Sequence, residues 1–215
     1  MLMRCKQNGL TILEMLITLA ISTIIAAAVL TLFSQTLFSS NRVIELGRLD
    51  GELNAAMDVI ESDVQRSGYW ANAHTSEVNP FDVITINPAQ DCILISYDRN
   101  SDGTLPGVGS GTDDERYGFR KMGDTLQYRP ASGPFDCSAA TTDWDNITDP
   151  SVITITSFVV TQNNVSVDID GSGSGTDTTQ FRNITISITG NLTHDANVTR
   201  TISRTIRVYN NKYAA

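Results

Sequence analysis

The succession of patterns along this chain predicts an α+β protein in which a long N-terminal helix packs on an antiparallel β-sheet domain. Three observations carry that reading. Residues 15–33 form an apolar run of 19 residues without Asp, Glu, Lys, Arg, Pro or Gly. From Leu46 to Val64 apolar residues recur three or four apart, the period of one helix face. Past Tyr69-Trp70 the pattern changes to short β-rich runs, several of them alternating, separated by turn-forming residues.

The apolar run is opened by Asn8-Gly9-Leu10-Thr11-Ile12-Leu13-Glu14. A bilayer core of about 30 Å needs about 20 mainly apolar helical residues, so the segment is long enough to cross a membrane. Glu14 is the one charge between Asn8 and Phe33. A carboxylate near the apolar end costs on the order of 3 kcal/mol in a lone helix, so it asks for a partner or a function. Arg4 and Lys6 precede the run and few basic residues follow it at once, which places the start in the cytoplasm and the bulk outside.

No proline occurs before Pro80, so the helix is expected to continue beyond Phe33. Leu46, Leu49, Leu53, Met57, Ile60 and Val64 form its apolar face, with charged residues between them. Gly47 and Gly51 each cost about 1 kcal/mol relative to Ala in an isolated helix, so close packing or a bend is expected there. Ser67-Gly68 reads as the stop. A helix from Leu10 to Arg66 is about 85 Å long, more than a membrane, and is expected to project as a stalk.

The expected strands are 83–86, 92–97, 117–122, 125–129, 152–160, 165–169, 181–192 and 198–209, in one antiparallel sheet. Met122-Gly123-Asp124-Thr125 reads as a tight hairpin turn and Gly190 to Asn197 as the last connection. Arg204 interrupts an otherwise apolar row of Ile202, Ile206 and Val208. The run Gly171-Ser172-Gly173-Ser174-Gly175 reads as an exposed loop.

A short leader with basic residues, then Gly9, then an apolar residue, then Glu14 five positions after the Gly, resembles the processing signal of type IV prepilins. Phe is commoner in that family at the place of Leu10. The resemblance implies a type IV pilin-like fold and cleavage after Gly9 by a dedicated membrane peptidase, with methylation of the new amino terminus at Leu10. It also implies that Glu14 neutralises the terminal amine of a neighbouring subunit as helices bundle into a filament. A secretory signal peptide fits less well, because its apolar run precedes the cut. A plain anchor has no need of Gly9 or Glu14. The organisation is then leader 1–9, transmembrane half-helix 10–34, amphipathic extension 35–67 and extracytoplasmic domain 68–215.

Looser similarities to minor pilins of the PilW type lie in residues 55–70, 92–103, Tyr117-Gly118-Phe119-Arg120 and 204–210. J-type pseudopilins of type II secretion share the motif and the long helix. The implied partners are the prepilin peptidase, other pilin subunits met through the N-terminal helix, and the inner membrane, with the globular domain periplasmic until it joins a pilus.

Charge and cysteine usage agree with export. The 15 basic residues less the two of the leader, against 24 acidic ones, leave a mature charge of −11, which argues against nucleic acid as a partner. Cys5 leaves with the leader, so the exported part keeps Cys92 and Cys137, an even pair that reads as a disulfide in an oxidising compartment. Two free thiols are the alternative; His74 and His194 are too isolated to suggest zinc.

Asp98-Arg99-Asn100-Ser101-Asp102-Gly103-Thr104 places oxygen ligands at alternate positions before a Gly, as in the first half of an EF-hand loop. Its calcium ligands would be the Asp98, Asn100 and Asp102 side chains and the Thr104 carbonyl. Gly109 stands where an EF-hand has its bidentate Glu, so further ligands must come from Asp113, Asp114, Glu115 or elsewhere. An ordinary Asp/Asn/Gly turn is the equal alternative, and no cofactor is required. Asp168-Ile169-Asp170-Gly171 with Asp177 is a weaker echo.

No nucleophile motif, phosphate-cradling loop or marked histidine base appears, so an enzyme is not expected. The favoured function is a minor pilin that primes or joins a type IV pilus. A pseudopilin of a secretion system and a filament-tip adhesin are the alternatives.

Overall fold

The computed structural model describes residues 11–74, 78–111, 114–169, 171 and 178–214. Gly9, Leu10, the leader, Asp113, Asp170, Asp177 and residues 172–175 of the Gly/Ser run lie outside them. Helix α1 (Ile12–Arg66) is followed by β1 (Ile84–Ile86), β2 (Cys92–Ser96), β3 (Arg116–Met122), β4 (Thr125–Tyr128), β5 (Asp145–Asn146), β6 (Ile153–Asp168), β7 (Thr178–Leu192), β8 (Asp195–Arg207) and β9 (Lys212–Ala214). The chain divides into two compact units, residues 1–46 and 47–215.

In the first unit every residue from Thr11 to Phe33 is exposed, and large apolar side chains stay exposed through Leu37, Phe38, Val43 and Ile44. The hydroxyls of Thr18, Ser22, Thr23, Thr31, Ser34 and Thr36 donate to carbonyls three or four residues back. These six hydroxyls are thereby satisfied within the helix, as an apolar surrounding requires.

In the second unit α1 buries Leu49, Leu53, Ala56, Met57, Ile60 and Val64, one stripe at the spacing read from the sequence. Gly47 and Gly51 are exposed, and a Cβ added at either would meet nothing within 4 Å. The expected close packing at these glycines is therefore corrected: the buried stripe passes them by. The helix ends where Gly68 takes a φ of 78° and donates its N–H to Ser96 O at 2.9 Å.

The strands form two antiparallel sheets rather than one. Sheet A has the order β1-β2-β3-β4-β5; sheet B has β6-β7-β8, with β9 also on β7. The expected runs 152–160 and 165–169 are one strand, β6, bulged between Ile155 and Ser157. Its Gln162-Asn163-Asn164 stretch reads as a break in sequence, yet both of its faces are exposed there and polar residues cost it nothing. The last connection tightens to Thr193-His194, with strands reaching Leu192 and Asp195. The Met122–Thr125 hairpin has Gly123 at φ 58°, as its turn demands.

The core lies between the α1 stripe and the inner faces of both sheets. β7 alternates with Ile184, Ile186 and Ile188 fully buried, and β2 is buried along its whole length. At Gly190 the backbone comes close to the helix: an added Cβ would lie 3.2 Å from Leu53 Cδ2 and 3.3 Å from the Thr154 carbonyl. After β8 the chain leaves the ladder, and Asn210 Nδ2 donates to the carbonyls of Arg66 and Ser67, both at 3.2 Å, satisfying the helix end.

Cys92 and Cys137 are joined by a disulfide with Cα atoms 6.0 Å apart. It sits against Leu94, Trp144, Phe135 and Ala139 and fastens the irregular segment 130–144 to β2. Gly118 of β3 is held to glycine because a Cβ would come within 2.7 Å of the Trp144 ring.

Candidate functional site

The start of α1 is built by Thr11 and Glu14. Thr11 Oγ1 accepts the Glu14 N–H at 3.3 Å, while Glu14 Oε2 accepts the Thr11 N–H and hydroxyl, both at 3.2 Å. This reciprocal arrangement is a capping box, readable as Thr-x-x-Glu and missed in the sequence reading. It places the carboxylate at the positive end of the helix, on an exposed residue at the head of an exposed apolar surface. Glu14 is thus oriented but open to a further partner. Gly9 and Leu10, the residues of the expected cut, lie outside the described residues.

The acidic loop closes the open end of the β2–β3 pair. Asp98 Oδ2 accepts the N–H groups of Ala71 and Gly103, each at 3.0 Å. Asn100 Oδ1 accepts the Asp102 N–H at 2.9 Å, its Nδ2 donates to Asp102 Oδ2 at 2.9 Å, and Asp102 Oδ1 accepts the Thr104 N–H at 2.7 Å. The Asn100 amide therefore braces the turn. Ser101 and Gly103 sit at φ 63° and 74°, and a Cβ at Gly103 would fall 1.9 Å from Asn72 Nδ2, so only glycine fits.

Glu115 joins Asp98 and Asp102 from across the ladder, whereas Asp114 does not. Asp114 is buried in ion pairs with Arg129 at 2.6 Å and Arg116 at 3.1 Å. Burial pushes its carboxyl up, but hydrogen bonds from Arg129, the Gly109 N–H and Arg116 outweigh this and hold it below the ordinary 3.8. In the weaker echo, Asp168 Oδ1 accepts the Gly171 N–H at 3.1 Å, a local turn.

A family profile described as the prokaryotic N-terminal methylation motif matches residues 4–30. A second, described as prepilin peptidase-dependent protein B, matches residues 42–208 and so covers most of the chain. The chain belongs to the prepilin peptidase-dependent protein B family. Prepilin peptidase-dependent protein B of Escherichia coli (strain K12) is 28% identical over 167 residues, covering 76% of this chain and 82% of that protein. No solved structure matches the chain.

This prepilin peptidase-dependent protein B family member is thus a type IV pilin-like protein, with one long N-terminal apolar helix and antiparallel sheets. Its one candidate membrane span among the described residues lies in α1, and the methylation motif overlaps the apolar half of that helix.

Proposed function

We propose that this chain is a minor pilin: a prepilin cut after Gly9 by the prepilin peptidase, methylated at Leu10, held in the inner membrane with residues 68–215 in the periplasm, and then added to or priming a type IV filament. It is a structural subunit rather than an enzyme. The observation that carries this reading is the exposed apolar surface of α1, headed by Glu14 inside a matched methylation motif. A carboxylate in that setting needs a counter-charge on leaving water, and the amine of a neighbouring Leu10 supplies one. A plain tether gains nothing from the group.

The test compares wild type with Glu14→Ala. Cleavage and membrane insertion are expected to persist, because the span only becomes more apolar, while the amount in sheared, purified filaments falls. Equal incorporation at matched membrane levels removes the assembly role. Gly9→Val is expected to accumulate the uncut precursor. A pseudopilin reading is separated by disabling the pilus or the secretion machinery in turn and asking which loss keeps the protein in the membrane.

A further inference from the structure

Asp98 and Glu115 are each 1% exposed, and each leaves one carboxylate oxygen without a partner. Glu115 Oε1 accepts the N–H groups of Arg99 at 2.6 Å and Asn100 at 3.0 Å, as Asp98 Oδ2 accepts those of Ala71 and Gly103. The second oxygens, Asp98 Oδ1 and Glu115 Oε2, are buried and accept nothing. None of the ion pairs formed among the described residues includes Asp98 or Glu115. One oxygen from each of Asp98, Asp102 and Glu115 lies within 4.8 Å of the other two.

A buried carboxylate with a bare oxygen is costly, and two side by side repel each other. The four N–H donors fix the orientation of both carboxylates. Oxygens bound to one Ca²⁺ at 2.3–2.6 Å are at most about 5 Å apart, so the observed spacing suits a shared ion. We propose that Asp98, Asp102 and Glu115 bind one Ca²⁺, with Asn100 and Gly103 shaping the loop that presents Asp102. Asp98 supplies the link to the rest of the domain: its N–H donates to Tyr69 O at 2.9 Å and its Oδ2 holds Ala71. Binding therefore fastens the chain just past α1 to the end of the β2–β3 pair. Ca²⁺ is favoured over Mg²⁺ because it accepts several carboxylates in irregular geometry.

The experiment is calorimetric titration of the full-length protein in detergent with CaCl₂, beside thermal unfolding in calcium and in chelator. Wild type is expected to take up one ion and to melt at a higher temperature with calcium. Asp102 is exposed, so Asp102→Asn should keep the fold, checked by circular dichroism, while weakening binding at least tenfold and shrinking the melting shift. Glu115→Gln should act likewise. Absence of binding heat together with an unchanged midpoint at millimolar calcium overturns the proposal. Wild-type affinity in a folded Asp102→Asn protein also overturns it, because the ion then sits elsewhere. Equal stabilisation by Mg²⁺ overturns the assignment to calcium.

Discussion

Arg204 Nη1 on β8 lies 2.6 Å from Glu61 Oε2 of α1 and equally 2.6 Å from Asp58 Oδ1, while Nη2 reaches Asn54 Oδ1 at 3.2 Å. The residue that breaks the apolar row of its strand is thus a clamp between strand and helix. The helix face bordering the buried stripe carries the acids that receive it. Arg200 and Asp50, 3.3 Å apart, repeat the contact further along both elements.

Arg204→Ala is expected to lower stability by about 1 kcal/mol, since the pair is partly exposed but shared among several acceptors. Chemical denaturation at low and high salt checks it: the loss should shrink as salt screens the clamp. A loss independent of salt would mean that packing of the side-chain stem is responsible.

Arg120 is 1% exposed and lies over the Trp144 ring at 4.4 Å. Its guanidinium donates to the carbonyls of Cys137, Ala139 and Ala140 and to Gln127 Oε1. Burial draws its pKa below the ordinary value, against the pull of Asp143 and Asp136. Arg120→Met should cost about 3 kcal/mol by stranding those acceptors, and should expose segment 130–144 to proteolysis ahead of the rest. Uniform protease resistance would show that the disulfide alone secures the segment.

Removing the disulfide acts on the same segment through the unfolded chain. With the cysteines 45 positions apart in sequence, the double variant Cys92→Ser, Cys137→Ser should lose about 4 kcal/mol in the chain-entropy estimate. The unfolding midpoint in denaturant measures it. If Arg120 and the disulfide support one structure, combining their changes should give less than the sum.

Acid sensitivity should reside partly in Asp114. Its folded pKa is depressed, so its contribution is complete above the unfolded carboxylate range near pH 4 and is lost as pH falls through the lower folded value. Asp114→Asn strands the buried Arg129 and should cost about 3 kcal/mol at neutral pH. The gap between variant and wild type should narrow below about pH 4. Denaturation curves at several pH values decide, and a constant gap would mean that the charge of Asp114 is not what stabilises.

At Gly47 and Gly51 a methyl group meets no neighbour, so Gly→Ala at either position should raise helix stability by about 0.5–1 kcal/mol. Thermal unfolding of the full-length protein is the measurement. A loss of stability would reveal a helix conformation at these positions that alanine cannot adopt.

Features decided between near neighbours in the chain were legible before any fold was known. The apolar run 15–33, the buried stripe from Leu49 to Val64, the stop at Gly68 and the hairpin at Gly123 each rest on side-chain period or on a backbone angle that glycine reaches easily. The capping box of Thr11 and Glu14 was equally local and could have been read. Tertiary structure decided what depends on partners far along the chain. Two sheets form because β6 pairs with β7 and not with the β1–β5 ladder, β6 runs unbroken through a polar stretch that neither face needs to bury, and β5 and β9 are short additions to strands already in place. The roles of the arginines at 120, 129 and 204 follow only from their carbonyl and carboxylate acceptors, which lie far along the chain or across the sheets. Asp98 and Asp102 were legible as oxygen ligands, but only the pairing of Ser96 with Arg116 selects Glu115 over Asp114 as their companion. Side chains alternate along a strand, so a single residue's difference in register turns one carboxylate toward the loop and the other toward the arginines.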